Sequence, residues 1–233
     1  MEYLDSVLVP LGVLILLLYH ARLIYLVHYF PTVTVYGINQ VNRQVWVRSM
    51  MADGLKNGVL AVQTLRNNIM ASTLLATAAI LLCSVLSVLV NNSDRLQQSS
   101  IVLGDRRSFL TSIKLLCVLV CFIVAFLSNV QSVRYYSHVS FLISIPVGPT
   151  APGLNPSYVN KAMARGALFW AIGLRAFYFS IPLFLWLFGP VPMFVSTVIM
   201  AIMLHFLDTA KDFNQTLSGS KITQVDQSKQ NLV

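Results

Sequence analysis

The chain has 233 residues, 56% of them hydrophobic and only 10% charged, against roughly a quarter charged in an ordinary soluble domain. Sixteen Lys and Arg with eight Asp and Glu cannot furnish a polar shell at this size, and lipid is the solvent that accepts the apolar surplus. A soluble enzyme, a nucleic-acid binder and a secreted disulfide scaffold are effectively excluded. The fold class is all-α: a polytopic helical membrane protein with about four transmembrane spans, or alternatively five, plus a cytoplasmic amphipathic helix. Residues 1–212 form one membrane domain and 213–233 a polar tail.

The first span covers about 4–27. Glu2 and Asp5 precede it with no base, and no small-residue cleavage site follows, so it reads as an uncleaved span rather than a signal peptide. In the connection 30–68, Ile38, Val41, Val45 and Ala52 recur at helical spacings among Asn39, Asn42, Arg43 and Gln44. That pattern predicts an amphipathic helix on the membrane surface. A second helix is expected to start near Asn57 and run into the span 70–90, projecting beyond the bilayer.

A polar loop follows from Asn91 to Ser108, then the third span, 109–130, with Lys114 close enough to one end to snorkel. The connection 131–165 allows the helix to continue to Ser144. Pro146, Pro149, Pro152 and Pro156 then force irregular chain, with a helical restart at Pro156. The block Gly166–Leu207 is too long for one span and barely enough for two. The favoured reading is one broken span, 181–207; the alternative is a hairpin at Gly189–Pro192.

Lys and Arg concentrate in 30–68 and 131–165, which places both loops in the cytoplasm and the N-terminus outside or in a lumen. With four spans the tail is also non-cytoplasmic, and with a hairpin it returns. Asn214-Gln215-Thr216 is a glycosylation acceptor pattern that reports on this. Cys83, Cys117 and Cys121 all lie in apolar runs without CxxC spacing and read as packing residues.

No HExxH, Walker loop or glycine fingerprint is present. His205 and Asp208, three apart, could serve a metal or a proton relay, or simply reach interfacial water. More organised is the second span, where Thr73, Thr77, Ser84, Ser87 and Asn91 share one helical face that extends to Arg66 and Gln63. Such hydroxyls suit a water-filled cation path, and equally suit helix packing. Glu2, Asp5, Asp94, Asp105 and Asp208 stand near span ends, where repetition around an oligomer would make a cation-attracting ring. Four or five spans rarely enclose a path alone, which favours an oligomer.

The stretch from Ser49-Met50-Met51 to Leu82 resembles the core of a plant membrane-protein family known as domain of unknown function 599. The resemblance is carried by Lys56-Asn57, Ala61-Val62-Gln63-Thr64-Leu65-Arg66-Asn67, Ile69-Met70, Ser72-Thr73-Leu74 and Ala76. Tyr19-His20-Ala21, Gly37-Ile38-Asn39, Trp46-Val47 and the segment Pro182 to Pro190 fit the same pattern. Arg22 departs from it, standing where an aromatic residue is expected.

The family label implies no chemistry. The chain is also similar to a small root-expressed plant protein understood as a pentameric, calcium-permeable cation channel of the endoplasmic reticulum linked to pathogen resistance. That likeness implies a homo-oligomeric, pentameric channel whose partners are membrane lipids, copies of itself and permeating Ca²⁺, K⁺ and Na⁺; no cofactor and no nucleic-acid partner is expected. It transfers no pore residue. The competing expectation is a non-conducting scaffold that recruits partners through Gly37–Met51 and the basic loop. A lipid-modifying enzyme, requiring His205 or Asp208, comes third.

Overall fold

The computed structural model describes residues 2–91, 108–146 and 154–210. Asp94, Asp105, the acceptor pattern at Asn214 and the polar tail lie outside them. Six helices account for nearly all of the described chain: α1 Glu2–Tyr29, α2 Val35–Ala52, α3 Gly54–Asn91, α4 Ser108–Leu142, α5 Pro156–Leu185 and α6 Pro190–Asp208. All but α2 are long and apolar enough to cross a membrane, and this is an integral membrane protein.

The helices begin where the sequence can satisfy their first amides. Thr34 Oγ1 accepts from the Gly37 amide at 3.2 Å, Asp53 Oδ1 from Lys56 at 3.2 Å, and Asn155 Oδ1 from Tyr158 at 2.8 Å. Each replaces a hydrogen bond that the open helix end would lack. The short 3₁₀ turn Pro31–Val33 joins α1 to α2. Gly37 packs so closely on the Pro31 carbonyl that a Cβ would overlap it.

The row of packing runs α3 on α4, α4 on α5, α5 on α6 and α6 on α1, with α2 laid against α5 and α3. With 38 residues, α3 is about 57 Å long, against an apolar bilayer thickness of about 30 Å. Its first turns therefore project, as the sequence predicts. With α2, the end of α4 and the start of α5 they bury a core of Val47, Met51, Leu65, Tyr136, Val139, Ile143 and Val159. At the opposite end Leu86, Leu115, Val118 and Phe122 form a second core.

The α4–α5 seam is made close by small residues. A Cβ on Gly173 would stand 2.5 Å from Asn129 Nδ2, and one on Gly166 3.1 Å from the Tyr136 ring. Ser132 Oγ donates to the Gly166 carbonyl at 2.9 Å. Its proton being used there, Ser72 Oγ of α3 donates to Ser132 Oγ at 3.2 Å. Three helices are thus tied by two hydroxyls where no water competes.

Two expectations change. Between the two readings of 166–207, the structure takes the hairpin: Arg175 and Asp208, 33 residues apart, are 2.8 Å from each other. A continuous helix would separate them by roughly 50 Å. The reversal falls at Gly189, whose φ of 148° is open only to glycine, followed by Pro190 in the first turn of α6.

Lys114 does not snorkel. Its side chain is 2% exposed, with Nζ 5.2 Å from the centre of the Trp186 ring. On α2 the face turned to the bundle carries Gly37, Ile38, Val47 and Met51, whereas Val41 and Val45 are 51% and 61% exposed. Burial here follows the closest approach to α3 and α5, not the apolar periodicity of α2 alone.

Candidate functional site

The hydroxyl stripe lies on the outer face of α3. Thr73, Thr77, Ser84 and Ser87 are all exposed, and Asn91 ends the helix. Each of the four hydroxyls donates to the carbonyl one turn back: Thr73 to Ile69 at 2.9 Å, Thr77 to Thr73 at 3.0 Å, Ser84 to Ile80 at 3.1 Å and Ser87 to Cys83 at 2.9 Å. With the proton turned inward, the oxygen lone pairs point away from the helix. The face thus offers acceptors, the polarity that suits a cation. Ile80, exposed, interrupts the stripe midway between Thr77 and Ser84.

The acids are placed unequally. Glu2 opens α1. Asp5 accepts from the Trp186 indole Nε1 at 3.2 Å, the ring that also covers Lys114. Asp208 is engaged twice: Tyr19 Oη donates to Oδ2 at 2.6 Å and Arg175 Nη2 to Oδ1 at 2.8 Å. Arg175 and Asp208 together carry no net charge, which makes their position within the spanning helices tolerable.

His20 completes this cluster. Its Nδ1 is 2.8 Å from the Leu16 carbonyl, which fixes the proton on Nδ1 and leaves Nε2, 3.4 Å from Arg175 Nη1, to accept. The four residues come from α1, α5 and α6, so the cluster fixes where the hairpin sits against α1. His205 takes no part: it is exposed, and Asp208 turns to Tyr19 and Arg175 instead. Among the described residues, no group of three His, Cys, Asp or Glu side chains could hold a metal ion.

Sequence reasoning singled out Asp208; Tyr19, His20, Arg175 and Trp186 join it only in the structure. The available signal was that an ionisable residue inside a span needs a partner. Beside the cluster, a cavity of about 980 Å³ opens between α1, α2, α4 and α5, lined mainly by apolar side chains such as Leu23, Val27, Val124 and Phe179. A smaller one of about 390 Å³ lies under α2, with Arg43 in its wall. Nearby, burial pushes the Tyr36 phenol up from its ordinary value, and the charge on Arg43 opposes that rise.

A bundle of lipid-crossing helices with an acceptor-lined outer face and internally neutralised charges defines the class: a polytopic α-helical integral membrane protein. The chain belongs to the family described as "Protein of unknown function, DUF599", whose model matches residues 7–213. Comparison with curated proteins and with solved structures finds no match.

Proposed function

We propose that this chain is one subunit of a symmetric homo-oligomeric cation channel whose axial path is lined by the outer face of α3. The observation that carries the reading is the row of exposed hydroxyls at Thr73, Thr77, Ser84 and Ser87, each with its proton turned into its own helix. A pore-lining face must be exposed on the isolated subunit and must offer oxygen without binding ions tightly. Five subunits, Ca²⁺ permeation in signalling or defence, and residence in the endoplasmic reticulum with the N-terminus lumenal belong to the same proposal. The orientation rests on the Lys and Arg of the loops, and the others on the likeness to the root-expressed channel alone. Asp208 is committed to Arg175, so the cation-attracting charge falls to the remaining acids near the span ends.

The scaffold alternative asks Arg43 and Arg48 to meet partners. Arg48 is exposed, whereas Arg43 is partly buried, with Nε and Nη2 enclosed. Current recorded from the purified full-length protein in a planar bilayer, under asymmetric CaCl₂ and KCl, tests the proposal. Discrete steps reversing toward the cation equilibrium potentials are expected. A silent bilayer from a verified oligomer would favour the scaffold.

A further inference from the structure

Where α4 and α5 run on past their apolar stretches, their seam gathers a second set of ionisable side chains, separate from Arg175 and Asp208. Arg134 and His138 stand one turn apart on α4, and Tyr158 and Arg165 share a face of α5 two turns apart. With Tyr135 and Ala162 they line a cavity of about 430 Å³. Arg134, His138, Tyr158 and Arg165 are all exposed, so their polar groups are open to whatever fills that space. No acid lines it, and among the described residues neither guanidinium forms an ion pair. Two arginines around one space repel each other unless an anion lies between them.

Ring contacts set the walls. Tyr135 stacks on Phe169 with ring centres 5.7 Å apart and planes 13° from parallel. The Tyr158 ring stands edge-on to His138 at 6.3 Å, with Oη 3.5 Å from Nε2, too long to hold the hydroxyl tightly. The level of the cavity follows from the sequence and one hydrogen bond. Arg134 comes one turn after the apolar run 109–130, and Arg165 directly before the run that starts at Gly166. Ser132 holds the Gly166 carbonyl at 2.9 Å, which brings both arginines to the same height. That height is where the helices leave the apolar layer, the level at which tyrosines collect and phosphorylated head groups lie.

We infer that this cavity binds the phosphomonoester head group of an anionic membrane lipid, held between the guanidiniums of Arg134 and Arg165 with the Tyr158 hydroxyl as a further donor. Two permanent positive charges match a phosphomonoester, which carries about two negative charges near neutral pH. A phosphodiester head group offers a single charge and fewer free oxygens. A soluble phosphate shares the chemistry, but the height of the site assigns the phosphate to the leaflet on the side of the basic connections. The site stands whether or not α3 lines a pore.

The test uses the full-length protein in dodecyl maltoside, which contains no phosphate, and follows the thermal midpoint as each of three probes is titrated. Dioctanoyl phosphatidic acid supplies the monoester, dioctanoyl phosphatidylglycerol the diester, and inorganic phosphate, set against chloride at equal ionic strength, the soluble anion. A saturable rise with phosphatidic acid is expected, at an apparent affinity at least tenfold above that for either other probe.

That affinity should fall about tenfold in Arg134→Gln and again in Arg165→Gln, each of which removes charge-assisted hydrogen bonds to the phosphate. Lys161→Gln removes an exposed charge from α5 outside the cavity and should match the wild type. No saturable response to phosphatidic acid would overturn the assignment. So would equal affinity for phosphatidylglycerol or inorganic phosphate, or a loss in Lys161→Gln as large as in the two arginine variants.

Discussion

Ser72 and Thr73 are neighbours on α3 with opposite settings. Ser72 is fully buried and reaches across to Ser132, which in turn holds the Gly166 carbonyl of α5. Thr73 is exposed and bonds only the Ile69 carbonyl of its own helix. The same residue chemistry therefore serves as glue on one face and as an unclaimed acceptor surface on the other, 100° around the helix. A hydroxyl in a span says little by itself; what its proton is given to, and where its lone pairs point, separates packing from a path for ions.

The sharpest way to break the packed side is Gly173→Val. Its Cβ would stand 2.5 Å from Asn129 Nδ2 and 3.3 Å from the Ala125 carbonyl, and overpacking of this kind costs on the order of 3 kcal/mol. Thermal unfolding in detergent should show a collapsed midpoint. Next in size is Arg175→Gln, which strands Asp208. Because the two side chains are 23% and 17% exposed, a loss of about 2 kcal/mol is expected, below the range for fully buried pairs. Asp208→Asn in the same background should recover part of it in a double-mutant cycle.

Ser132→Ala should cost about 1 kcal/mol, since it removes the Ser72 and Gly166 hydrogen bonds together. On the open side, Thr77→Leu and Ser84→Leu should change stability by less than about 0.5 kcal/mol. Conductance should nevertheless drop in both. Ile80→Ser should raise it, because Ile80 is the apolar break in an otherwise hydroxylated line. Single-channel recording beside size-exclusion profiles separates these outcomes from failed assembly.

Much of the packed side was legible in the sequence. The length of the apolar runs gave the helices, Pro156 and the Gly189-Pro190 break gave their boundaries, and spacing alone gave the α3 stripe. The path of the chain around Gly189 was not legible, because composition measures how much apolar chain there is and not which way it turns. The partners that depended on that turn stayed hidden with it. Arg175 finds Asp208, and Trp186 finds both Lys114 and Asp5, only once the hairpin and α1 are side by side.

The central claim, that the exposed hydroxyl face of α3 borders the ion path, is tested most directly by thiol block. Thr77→Cys and Leu74→Cys place a thiol at two exposed positions on the same helix, the second at 71% exposure and off the stripe. A small cationic thiol reagent should progressively close single-channel currents through Thr77→Cys, leaving Leu74→Cys and the wild type, with its own three half-buried cysteines, conducting. Equal block at both positions, or full current through a labelled Thr77→Cys, would contradict the account.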